Sequence, residues 1–242
     1  MGKARSLQLV KYQKQMIIQK IYNHLLLNKI YLTNPGLYYG KTGCLLFFAH
    51  YARLFEDDVN GEIVSEITDD IFASVGAETA MGIQQGVCGI GWGVEYILQN
   101  RLMEGDSDEI LADLDQMILR KEVKTIVSHP DFTGIVRYVA VRLTSPCGGG
   151  TDIPFPQDYL TELYQAAANH PASKSDLSMQ NDINTIKKTM AAGRFSEKPL
   201  VLSCDMLGQV FIDRFPLIPL GLYNGLSGLG IKLLLEDRPV IS

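Results

Sequence analysis

Apolar residues along this chain fall into two kinds of stretch that alternate. In residues 7–30, Val10, Met16, Ile17, Ile21, Leu25 and Leu26 recur among Lys and Gln. Residues 59–75 do the same through Val59, Ile63, Ile67, Ile71 and Val75, and residues 108–123 through Ile110, Leu111, Leu114, Met117 and Ile118. That spacing predicts one-sided amphipathic helices. Residues 44–55 (CLLFFAHYARLF), 87–100 (VCGIGWGVEYILQN), 135–143 (IVRYVAVRL) and 226–236 (LSGLGIKLLLE) are instead apolar nearly all round, which predicts buried helices. Two runs, Leu200–Leu202 and Val210–Ile212, are too short to separate strand from helix. Residues 146–156 (PCGGGTDIPFP) read as a loop, and the polar stretch 170–199 carries a helix near Asp182–Ala192.

Glycine opens each buried stretch. Gly36-Leu-Tyr-Tyr-Gly40-Lys-Thr-Gly43, Gly82-Ile-Gln-Gln-Gly86-Val-Cys-Gly89 and Gly221-Leu-Tyr-Asn-Gly225-Leu-Ser-Gly228 share the form G-x-x-x-G-x-x-G. Random placement of 22 glycines in 242 positions gives roughly 0.2 such matches, so three copies mark an internal repeat. Pro130-Asp-Phe-Thr-Gly134-Ile-Val-Arg137 is a degenerate copy. The starts at 36, 82, 130 and 221 leave one double interval, in which a fifth motif is due near residue 175. A repeat of this length suits a helical hairpin. The alternation therefore predicts an all-α chain: an α/α toroid, reduced or incomplete, of four to five hairpins with Gly-rich turns. Residues 1–242 form one domain in this reading, with an irregular insertion at about 146–199.

The first motif glycine is expected to end a loop at positive φ. The second and third are expected to let neighbouring buried helices approach, with their N–H groups facing the pole of the ring as free donors for an anion or polar ligand. Pure packing is the competing account of the same glycines.

Composition narrows the classes. A chain with 46% apolar residues, 20% charged residues and net charge −5 fits a folded domain and lacks the basic stripe of a nucleic-acid binder. No apolar run reaches the length of a membrane span, and the N-terminus lacks the apolar core of a signal peptide. Cys44, Cys88, Cys147 and Cys204 lie far apart, which favours free thiols and a cytoplasmic location.

GLYYGKTGCLLFFAHYAR, GVCGIGWGVEYILQN and GLYNGLSGLGIKLLL resemble the repeats of the lanthionine synthetase C (lantibiotic cyclase-like) family. The resemblance covers about residues 7–145 and 200–236 and implies a double-layered α/α toroid. It also implies thioether chemistry on peptides, in which a zinc ion held by two Cys and one His activates a thiol. The family's ligands come from W-C-x-G and C-H-G signatures ahead of a motif glycine. Here the corresponding pairs are Tyr38 and Tyr39, Gln84 and Gln85, Phe132 and Thr133, and Tyr223 and Asn224, none of them Cys or His. The expectation is a short, zinc-free member with no metal or cofactor, a pseudoenzyme that binds a peptide or a peptide-modifying enzyme.

The candidate binding pole comprises Tyr38, Tyr39, Lys41, Gln84, Gln85, Asp131, Thr133, Arg137, Tyr223 and Asn224. The tyrosines would form an aromatic, hydrogen-bonding rim, although loop packing explains them nearly as well. Lys41 and Arg137 would meet a carboxylate or phosphate, or else be solvated charges at helix ends. Asp131 is placed as an N-cap. The alternative function is an enzyme of another class acting on a glycan or small molecule through carboxylates, with Asp131, Glu95 and Glu56 as candidates. Glu95, alone on its apolar stretch, is expected to reach solvent or pair with an Arg.

Overall fold

The structure is a computed structural model that describes residues 2–55, 58–144, 153–193, 195, 200–209, 215 and 217–236, with 2–10, 58 and 204 described by backbone alone. Among these residues it is all-helical. The helices in the first half are α1 (Gly2–Asn28), α2 (Lys41–Phe55), α3 (Asp58–Ala73), α4 (Val87–Gln99), α5 (Ser107–Ile110), α6 (Ala112–Leu119) and α7 (Val123–Ile126). There follow α8 (Phe132–Arg142), α9 (Gln157–Asn169), α10 (Ala172–Ser175), α11 (Leu177–Ala192), α12 (Cys204–Leu207) and α13 (Leu226–Leu235). No helix among the described residues is long and apolar enough to cross a membrane.

The two kinds of apolar pattern become two kinds of helix. Every residue of α4 from Val87 to Leu98 is buried, as is α2 from Thr42 to Tyr51. By contrast α3 buries one stripe, Asn60, Val64, Ile67 and Ile71. The buried helices α13, α2, α4 and α8 pack side by side in that order and the half-exposed α11 continues the row, while α1 lies against α13, α3 against α2, and α9 against α11. The stretch predicted as one helix over 108–123 holds two short ones and reaches only the first residue of α7, because Leu111 (φ −100°, ψ 3°) ends α5 and Arg120 ends α6. In the stretch predicted as irregular, α9 shows the spacing of an amphipathic helix through buried Leu160, Leu163 and Ala167. The helix expected at 182–192 begins five residues earlier, at Leu177. Residues 200–202 are neither helix nor strand, while 210–212 lie outside the described residues.

The glycine turns are stitched by one repeated hydrogen-bond pattern. The first two N–H groups of α2, α4 and α13 donate to carbonyls seven residues back: Lys41 to Asn34 and Thr42 to Pro35, Val87 to Ala80 and Cys88 to Met81, Leu226 to Pro219 and Ser227 to Leu220, over 2.8–3.3 Å. The loop thus folds over the helix N-terminus and satisfies donors that would otherwise be free. Of the motif glycines expected to offer free N–H groups, Gly86 donates to Gly82 O and Gly89 to Gly86 O, both at 3.0 Å.

The same loop explains the glycines. A Cβ on Gly40 would lie 2.2 Å from the Asn34 carbonyl oxygen, and one on Gly86 2.0 Å from that of Ala80. On Gly43, Gly89 and Gly228 it would lie 2.0–2.6 Å from the carbonyl oxygens of Leu37, Ile83 and Leu222. The first glycine serves the neighbouring turn. A Cβ on Gly36 would meet Gln85 Cα at 2.3 Å, and one on Gly221 would meet the Tyr38 carbonyl oxygen at 2.4 Å. Tyr38 N–H donates to Gln84 O and Tyr223 N–H to Tyr38 O, so adjacent turns are also bonded to each other. The positive φ expected at the first glycine is absent: among described glycines it occurs at Gly105, Gly193 and Gly208. Space, rather than backbone conformation, selects glycine here.

Gly61 is the counter-example. It sits inside α3 with nothing within 4 Å of a would-be Cβ. Gly61→Ala is expected to stabilise the chain by about 0.5–1 kcal/mol, through reduced freedom of the unfolded backbone, in a urea-unfolding comparison.

Candidate functional site

The turn ends of the buried helices gather part of the expected pole. Tyr38 stacks on Tyr223 with ring centroids 5.5 Å apart and planes at 16°, and Tyr39 stands edge-on to both. Thr133 and Arg137 follow on the first turns of α8. Burial raises the Tyr38 phenol above its ordinary value; the positive charge of Arg137 opposes this, while Tyr223, Tyr39 and Asp205 reinforce it.

The other candidates do different work. Lys41 turns to α3, its Nζ 3.2 Å from Asp70 Oδ2, instead of facing the ring. Asn224 holds a positive φ of 51°, and its Oδ1 accepts from Gln209 N–H at 2.8 Å, so it shapes the turn. Gln84 and Gln85 are exposed and contribute backbone to the neighbouring turn. Asp131 occupies the N-cap position of α8 without a side-chain cap bond. Its carboxylate lies instead against Gly82, where a Cβ would come within 2.6 Å of Oδ1, and 3.6 Å from His129 Nδ1. Bulk beside a neighbouring turn, not capping, is its observed role.

Beside the turns lies a cavity of about 560 Å³ between α8, α11 and residues 200–206. Tyr38 and Arg137 line its turn end, Trp92 and Thr144 its inner walls, and Asp176, Asp182 and Asp205 supply three carboxylates. Arg137 donates from Nε to Asp182 Oδ2 at 3.3 Å and from Nη2 to the Ser178 hydroxyl. Asp176 caps α11 by accepting from the N–H groups of Ser178 and Met179. The Ser178 hydroxyl, these N–H groups and Arg137 hold its carboxyl below the usual range. Trp92 is backed by Tyr96, rings 5.5 Å apart at 10°, and Tyr96 OH sits 2.9 Å from His50 Nε2.

A buried ionic network abuts this cavity. Arg142 donates from Nη1 to Glu95 Oε1 at 2.6 Å, from Nη2 to Asp115 Oδ2 and Asp108 Oδ1 at 2.8 Å each, and from Nε to both Asp115 oxygens. The Tyr138 hydroxyl donates to Asp115 at 2.6 Å. Gln99 Nε2 bridges Glu95 and Thr144, and Thr144 faces the cavity. Glu95 therefore pairs with an arginine, as one branch of its expectation held. Burial pushes the Glu95 and Asp115 carboxyls up, against the pull of Arg142. Arg142 was the residue that sequence reasoning passed over. Its signal was a second charge on an apolar stretch, opposite in sign to Glu95.

Among the described residues, the cysteines do not suit the zinc of the resembled family. Cys44 and Cys88 are wholly buried inside α2 and α4, and desolvation pushes the Cys44 thiol up to about 12, far from the thiolate a metal needs. Cys44 Sγ sits 3.2 Å from Ser227 Oγ and 3.6 Å from Leu220 O. Among the described residues no group of three His, Cys, Asp or Glu is arranged to hold a metal. Cys147, the Cys204 side chain and Glu56 lie outside the described residues. No family model matches the chain, and no curated protein or solved structure matches it either.

Proposed function

We propose that this chain is a zinc-free relative of lanthionine synthetase C, built as a reduced or incomplete α/α toroid of four to five hairpins. It serves as a cytoplasmic peptide-binding or accessory component of a peptide-modification pathway. The observation that carries the reading is the cavity beside the glycine turns, with its aromatic turn end of Tyr38 and its polar walls. A volume of about 560 Å³ falls in the range of ligand sites, and rigid aromatic side chains beside hydrogen-bonding groups suit a short stretch of peptide. The repeat-to-family resemblance supplies the pathway; the mismatched donor set argues against thiol addition.

The carboxylate-enzyme alternative has less support. Glu95 is fully buried and held by Arg142, while Asp176 and Asp182 are tied to the α11 N-terminus and to Arg137.

A random-peptide display library panned on the intact chain tests the reading. Enriched peptides should lose about tenfold or more in affinity for Tyr38→Ala, the loss of a central aromatic contact. Failure to enrich any peptide, or zinc near one equivalent per chain after purification in metal-free buffer, would overturn it.

A further inference from the structure

Resting on the peptide-binding reading, we infer that the cavity takes a basic side chain of the bound peptide, an arginine or lysine, with Asp205 as its counter-charge and Tyr38 and Trp92 as its walls. The charged lining consists of Arg137 against Asp176, Asp182 and Asp205, an excess of two negative charges. Arg137 is already matched: its Nε and Nη2 donate to Asp182 and Ser178. Asp176 is matched by the N-terminus of α11, where two backbone N–H groups and the Ser178 hydroxyl donate to it. Asp205 is different, for it is exposed at the cavity and forms no ion pair among the described residues. Its charge is felt by the Tyr38 phenol, which places carboxylate and ring in one neighbourhood.

The walls fit the same guest. Tyr38 is backed by Tyr223 and Trp92 by Tyr96, so each ring is held by a stacked partner while lining the cavity. Aromatic faces attract guanidinium and ammonium groups, most strongly where water is partly excluded. Apolar surface from Ala140, Val141 and Met206 would cover the methylene stem of a long basic side chain. An anionic guest would instead face the surplus carboxylates, with Arg137 already engaged by Asp182 and Ser178.

The chain carries its own reporter. Trp92 is the only tryptophan among 242 residues, so its emission reads occupancy of this cavity directly. The probes are N-acetyl-arginine methylamide, its neutral isostere N-acetyl-citrulline methylamide, and N-acetyl-glutamate methylamide. The arginine probe should shift Trp92 emission saturably, bind about 5- to 10-fold more tightly than citrulline, and weaken as salt rises. Asp205→Asn should weaken the arginine probe by about 3- to 5-fold while leaving the thermal midpoint in place, since Asp205 is exposed. Equal responses to arginine and citrulline, tighter binding of glutamate, or an unaffected Asp205→Asn would overturn the inference. The two readings fail separately. Library peptides that bind without a basic residue and without competing with the arginine probe sink the inference alone. A binding arginine probe with no enriched peptide sinks the peptide reading and leaves the cation pocket standing.

Discussion

Arg142→Met should lower stability by about 3–5 kcal/mol, because it strands Glu95 and Asp115 as carboxylates in the interior without their cation. Asp108, more than a third exposed, will recover solvent and contribute least. Urea unfolding at neutral pH measures the loss, and a change below about 1 kcal/mol would show that the network relaxes to water instead. The companion variant Glu95→Gln has the opposite character. Burial raises the Glu95 carboxyl above its ordinary value, against the pull of Arg142, so Glu95 holds a proton more tightly in the folded chain than in the unfolded one. The stability that this proton confers is full below the ordinary glutamate range and is lost as pH rises through the folded value. Glu95→Gln removes that loss while keeping an oxygen for Arg142 Nη1. Its stability relative to wild type should therefore rise between acid and neutral pH, and a relative fall would contradict the assigned direction.

Gly86→Ala is the second large expected effect, about 3 kcal/mol. The Gly86 backbone (φ −124°, ψ −168°) is open to alanine, so conformation costs little. The new methyl would, however, fall 2.0 Å from the Ala80 carbonyl oxygen, which accepts the Val87 N–H at 2.8 Å. Overpacking and loss of that buried hydrogen bond each cost about 1–3 kcal/mol. Gly76→Ala, with open space around it, serves as the control with little change. If Gly86→Ala were as mild as the control, the loop-over-helix account of the repeat would fail.

Much of the architecture was legible because burial writes itself into composition. A helix surrounded by protein, such as α4, must be apolar on all sides, and one with a wet face, such as α3, shows a stripe. The glycine spacing was equally legible, but its cause was not. Carbonyls seven residues upstream leave no trace in residue identity, so the loop that folds over the start of each of α2, α4 and α13 is not visible in the motif. Helix α9 carries its apolar stripe in Leu160, Leu163 and Ala167, set in a segment whose other residues include many polar ones. At the site, Tyr38 and Arg137 were found because they flank glycines, whereas Trp92, Asp182 and Asp205 come together only through packing across distant segments. Lys41, read either as a cation of the pole or as a charge at a helix end, pairs with Asp70 on the next helix, a choice no local pattern reveals.

The α11 N-terminus is closed in a different way. It lies beside the first turn of α8, where the spacing of the glycine motifs predicts a fifth turn, yet Asp176 stands there and caps the helix with its own carboxylate. One side chain supplies here the acceptors that a folded loop supplies at α2, α4 and α13. A helix can thus be seated beside α8 with no glycine signature ahead of it, so a count of helices from glycine spacing alone runs low in this chain.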